Sequence, residues 1–111
     1  MKKFLILYSA PVTAEQQMNV SPEQMKKAME PWLAWFKKYE KAFVDRGTQL
    51  VNGIHITKNK ASKGKTQVTG YAIVQAKDMD AVKTLLADGP YFMMMPEASA
   101  EVFEMMPELQ M

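Results

Sequence analysis

The stretch KKFLILYS, Lys2 to Ser9, decides how the chain folds. In an extended backbone Phe4, Ile6 and Tyr8 point to one side and Leu5 and Leu7 to the other. A strand that is apolar on both faces belongs in the middle of a sheet covered front and back. A second stretch repeats the pattern: in TQVTGYAIVQA, Val68, Ala72 and Val74 share one face, and Tyr71 and Ile73 share the other.

Between these two segments lies a helix. Ser21-Pro22-Glu23-Gln24 reads as its start, with Ser21 as N-cap, Pro22 at the first helical position and Gln24 closing a capping box. Met25, Met29, Trp32, Phe36, Tyr39 and Phe43 recur at steps of four and three, so they form one stripe facing the sheet. Trp35 falls on the margin of that stripe, where an indole N–H can find a polar partner and the ring can line a cleft or the dimer contact. Pro31 predicts a kink or short break near Ala28 to Glu30, and Gly47 predicts the helix end, with Asp45 beside it.

TQLVNGIHIT then reads as a strand paired with TQVTGYAIVQA through the basic tip KNKASKGK. Asp78 is placed to cap a second helix whose Ala81, Val82, Leu85 and Leu86 face inward, and Gly89 ends it. A turn at Pro90 leads to a last strand in SAEVFEMM. The order β-α-β-β-α-β predicts an α+β, ferredoxin-like fold in a single domain, residues 1–111: a four-stranded antiparallel sheet with two helices on one face. Two helices cover one face only. The other apolar face predicts a homodimer joined sheet to sheet.

Composition narrows the function classes. A net charge of +2, with the lysines of the tip lacking interleaved aromatics, gives no basis for a nucleic-acid partner. The absence of cysteine removes disulfides and thiol chemistry. The apolar run from Phe4 to Tyr8 is too short for a secretory h-region, so a cytoplasmic protein with no membrane partner is expected. The eleven methionines suit adaptable filling of an irregular interior or interface. Lys58, Lys60, Lys63 and Lys65 read as a solvated tip that discourages edge pairing. His55 is the only histidine and alone cannot build a metal site; no cofactor is expected. Asp88 ends the second helix at the negative end of its dipole, which predicts a raised proton affinity. If Asp45 ends the first helix in the same way, the two carboxylates are candidates to meet at one mouth of the sheet.

PWLAWFKKYEKAFVDRG, VTGYAIVQAKDMDAV, the DGPYF turn and the closing AEVFEMMPEL together resemble the YCII-related family of small proteins with the dimeric α/β-barrel fold. The resemblance runs from Phe4 to Leu109 and rests on structural motifs. It implies a cavity between sheet and helices, roofed by a dimer partner. In better-known members an early-helix histidine and an aspartate before the proline turn form a catalytic pair. Asp88 matches that aspartate, with the extra residue Gly89 before Pro90, while Gln24 stands at the histidine position and Gln49 where the closest subgroup has proline.

Two readings of function follow. In the first, a small organic molecule binds in an apolar, aromatic cavity near Trp35, His55, Tyr71 and Tyr91, with Asp88 as a base for a modest proton transfer. In the second, the chain is a non-enzymatic homo-oligomeric assembly or regulatory module whose methionine and aromatic surfaces serve association.

Overall fold

The computed structural model describes residues 1–11, 21–63 and 68–107. Lys65, Leu109 and residues 12 to 20 lie outside the described residues. Along the chain run β1 (Lys2–Ser9), α1 (Pro22–Lys38), β2 (Phe43–Asp45), β3 (Ile54–Thr57), β4 (Lys60–Lys63), β5 (Val68–Ala76), α2 (Met79–Ala87), the short α3 (Tyr91–Met94) and β6 (Ser99–Met105). The four-stranded sheet has the order β2-β5-β1-β6, and among the described residues β3 pairs with β4 alone, in a two-stranded sheet. All the strand pairs are antiparallel. This is a small α+β arrangement compatible with a ferredoxin-like fold.

The two doubly apolar segments occupy the centre, as their alternation requires. Phe4, Ile6 and Tyr8 of β1 and Ala72, Val74 and Ala76 of β5 are buried against Trp35 of α1 and Val82, Leu85 and Leu86 of α2, so both helices feed one core on one sheet face. The predicted caps form. Ser21 Oγ accepts from the Gln24 N–H and Gln24 Oε1 from the Ser21 N–H, both at 3.2 Å, and Asp78 Oδ1 accepts from the Ala81 N–H at 2.9 Å.

Three expectations are corrected. First, α1 ends at Lys38, not near Gly47, and is unbroken at Pro31. Phe43 keeps its place in the aromatic stripe from the edge strand instead: opposite Val74, its ring lies 5.0 Å from those of Trp35 and Phe36. An edge strand beneath a helix fills the same core that another helical turn would have filled, which is why the spacing carried on through the turn. Second, Asp45 is the last residue of β2 and not a helix end. Gly47 adopts φ +75°, and a Cβ there would lie 1.7 Å from the Tyr71 carbonyl oxygen, so glycine is required by close approach to β5. Third, TQLVNGIHIT is not one sheet strand. Gln49 bridges Gly70 and the Leu50 N–H donates to Thr69, but Ile54–Thr57 then leaves to pair with β4. The expected tip thus holds a strand of its own, reversed at Lys58 and Asn59.

Met25 and Met29 stay more than a third exposed, so the sheet-facing stripe is covered from Trp32 onward. Trp35, expected on the margin, is the one fully buried residue of α1.

Candidate functional site

The buried aromatics form a continuous band. Tyr8 lies 4.7 Å from Tyr91 and 6.2 Å from Trp32 between ring centroids, and Trp32 lies 6.0 Å from Tyr91 and 5.7 Å from Trp35. Two polar tips of this band are hydrogen-bonded. Trp35 Nε1 donates to the Leu85 carbonyl at 3.0 Å, and Tyr91 Oη donates to the Ser9 carbonyl at 2.8 Å. The Tyr8 hydroxyl is buried and, among the described residues, is the one buried side-chain polar atom with no hydrogen-bond partner. A buried polar group left in that state costs roughly 1–3 kcal/mol. Burial, with a smaller contribution from Tyr91, pushes the Tyr8 phenol well above its ordinary value, so the hydroxyl remains a donor at neutral pH. Burial also raises Tyr91, against an opposing hydrogen bond from Thr69.

Asp88 is the C-cap of α2 and meets the end of α1. Its Oδ2 accepts from Lys38 Nζ at 2.6 Å and from Tyr39 Oη at 2.8 Å, and Lys38 lies 5.6 Å from the Tyr39 ring centroid. The cluster is open to solvent, with the Asp88 side chain 41 % exposed. The Lys38 and then the Tyr39 hydrogen bonds hold the Asp88 carboxyl below the usual carboxylate range and outweigh a small burial effect. The expected rise in proton affinity is therefore reversed. A carboxylate at the negative end of a helix has found a cation and a phenol, and hydrogen bonds from these two donors lower its proton affinity. The same bonds raise Lys38 and Tyr39.

Asp45 and Asp88 have separate partners. Asp45 Oδ1 accepts from the Gly47 N–H at 2.8 Å and Oδ2 from Tyr71 Oη at 3.1 Å, a bond that raises the Tyr71 phenol. Tyr71 alternates with the buried Gly70 and Ala72 and so lies on the sheet face turned away from the helices. His55 is exposed on β3 between Ile54 and Ile56. The sequence candidates thus occupy distinct places: Trp35 and Tyr91 in the core, Asp88 at the helix ends, Tyr71 on the open sheet face and His55 on the β3–β4 hairpin.

Between sheet and helices the space is filled by side chains, among them Phe4, Ile6, Val74 and Val82, which are almost wholly buried. Open grooves lie at the surface among the described residues. One of about 470 Å³ runs past Lys37, Lys38, Tyr39, Lys41, Lys77 and Leu85, and one of about 420 Å³ past Met79, Lys83, Leu86, Phe92 and Val102. Neither is lined by Asp88, His55, Tyr71 or Tyr91. Alternation along β1 places Tyr8 in the core but carries no signal for the partner of its hydroxyl, and nothing in the sequence marks the meeting of Lys38 and Tyr39 with Asp88, fifty and forty-nine residues away. Among the described residues no helix is long and apolar enough to cross a membrane.

No family model matches the chain, and no curated protein matches it. Among solved structures the chain is similar to 5-chloro-2-hydroxyhydroquinone dehydrochlorinase (TftG) from Burkholderia phenoliruptrix AC1100, in complex with 2,5-dihydroxybenzoquinone. The likeness covers 93% of this chain and 91% of that one at 14% sequence identity, with a TM-score of 0.53. It is a likeness of fold over nearly the whole of both chains.

Proposed function

We propose that this protein binds a small oxygen-bearing organic molecule at the aromatic band, where the Tyr8 hydroxyl donates to an oxygen of the ligand and Trp32 and Tyr91 pack against its apolar ring. The unpartnered hydroxyl of Tyr8 carries this reading, since an acceptor brought by a ligand would satisfy a buried donor that has no partner among the described residues. Trp32, whose ring lies 6.2 Å from that of Tyr8, is only half-buried. The quinone held by TftG supports the ligand class, being a small ring with oxygen acceptors at its edge. Together with the quoted motifs, the shared fold supports a place among YCII-related proteins. Asp88 is too well stabilised as a carboxylate to serve as a strong base, so binding is favoured over proton transfer. The test is calorimetric titration with 2,5-dihydroxybenzoquinone. Saturable binding weakened about tenfold by Tyr8→Phe supports the reading, as loss of one hydrogen bond to ligand should. Equal affinity in the variant, or no binding to the native chain, overturns it.

A second reading concerns assembly, and the open sheet face favours it. Leu5 stands opposite both Ile73 and Phe103, and Leu7 opposite Tyr71, so these residues form one apolar surface directed away from both helices. A second copy of the chain is the occupant we propose for that face, giving a two-fold dimer joined sheet to sheet.

A further inference from the structure

The β3–β4 hairpin stands away from the core. Every residue from Thr48 to Ala61 is exposed, and Ile54 and Ile56 are left 65% and 66% accessible. A lone two-stranded hairpin is marginal in water unless something packs on it. Its register puts Ile54 opposite Lys63 and Ile56 opposite Ala61, so these four residues share one face and end it on a positive charge.

At the far side of the main sheet, β6 is an edge strand. Glu101 stands opposite Leu7 and Phe103 opposite Leu5, which puts an acidic and an exposed aromatic side chain next to one another on the open face. Phe103 is 48% accessible, and Glu101 has no ion-pair partner among the described residues. The two surfaces match in kind: isoleucine against phenylalanine, lysine against glutamate. In one chain they belong to opposite sides of the sheet. Turning the strand order β2-β5-β1-β6 by half a turn about an axis along the strands lays β6 of one copy over the β2 side of the other, from which the hairpin springs.

We infer that the hairpin is a clasp: in a pair of copies, the Ile54–Ile56 face of each packs on Phe103 of the other, with Lys63 directed to Glu101. This rests on the sheet-to-sheet dimer proposed above and adds the element that fixes its orientation. The clasp also accounts for two isoleucines exposed on a hairpin that has no core of its own.

The chain has no cysteine, so introduced thiols report on a single contact. The variant carrying Ile56→Cys and Phe103→Cys is oxidised mildly, run on a non-reducing gel and sedimented in parallel. Both positions are exposed, so folding is expected to survive the change. The clasp predicts a covalent dimer. A dimer in sedimentation without a cross-link overturns the clasp and leaves the sheet-to-sheet pairing standing. A monomer overturns both, and a disulfide within one chain overturns the clasp by showing that the hairpin folds onto its own sheet. As an independent arm, Lys63→Glu should weaken the dimer on the order of threefold and Glu101→Lys in the same chain should restore it. Failure of the reversal to restore it counts against the ion pair.

Discussion

The indole N–H of Trp35 donates to the Leu85 carbonyl at 3.0 Å, so a side chain of α1 closes the last turn of α2. The last carbonyls of a helix lack partners within it, and here the Gly89 N–H bonds to Leu86 and not to Leu85. Asp88, three residues on, reaches Lys38 and Tyr39 from the same helix end. Replacing Trp35 by Phe keeps an aromatic ring and leaves the carbonyl buried and uncapped. We expect a loss of about 1–3 kcal/mol, read as a lower urea midpoint at unchanged slope.

Gly89 is the steric counterpart of that bond. A Cβ at Gly89 would lie 2.8 Å from Trp35 Cε2 and 3.0 Å from Cζ2. Gly89→Ala should therefore push the indole off Leu85 and destabilise by about 1–3 kcal/mol, as overpacking does. In the Trp35→Phe background the smaller ring leaves room, so the two changes should cost less together than the sum of their separate effects. Additivity in the double-mutant cycle would show that the glycine serves the backbone and not the ring.

The sheet was legible from the sequence because its evidence is local: alternation in Lys2–Ser9 and Val68–Ala76 places both strands in the centre, and Ser21 and Asp78 mark the helix starts. What failed depended on the path of the chain in space. Phe43 keeps the helical spacing of the stripe while sitting on a strand, because the spacing records which side chains meet and not which backbone carries them. Gly47 looked like a helix end and is a point of contact with β5. The Asp88 cluster was half legible. Its place at a helix end could be read, but the sign of its proton affinity depended on two donors from another helix.

Asp88 gives a pH test of that sign. Its folded value lies below the 3.8 of the unfolded chain, so the native state holds this carboxylate ionised more firmly than the unfolded state does. Its contribution is then complete above pH 3.8 and is lost as the pH falls through the lower folded value. The stability gap between the native chain and Asp88→Asn should therefore be widest near neutrality and close in acid. The cluster is exposed, so high salt should narrow the gap at every pH. Urea midpoints of the two proteins across an acid series measure it, and a gap that widens in acid would reverse the assignment.

Tyr8→Phe separates stability from binding. In the free protein the variant loses only a hydroxyl without a partner, so it should be more stable by about 1 kcal/mol while binding ligand less well. A structural hydrogen bond to Tyr8 would give the opposite change in stability. The pH dependence has a definite sign as well. Because the folded phenol is raised above the ordinary value of 10.0, the unfolded chain loses this proton first, and the native chain should lose stability above pH 10 more steeply than the variant.

Ile73 tests the second apolar face. It lies in β5 opposite Leu5 on one side and Asp45 on the other, and its alternation with the buried Ala72 and Val74 directs it away from the helices. A lysine there adds a charge to the face we assign to a second copy while leaving the core side chains of β5 untouched. Two like charges would then meet near the two-fold axis, each removed from water on association, and the pairing should fall by well over tenfold. Far-ultraviolet circular dichroism should keep its native shape, because the sheet and both helices pack on the other side. Sedimentation is the deciding measurement: a concentration-dependent dimer for the native chain and a monomer for Ile73→Lys is the expected pair, whereas a native chain that is monomeric at every concentration shows that this face meets water alone.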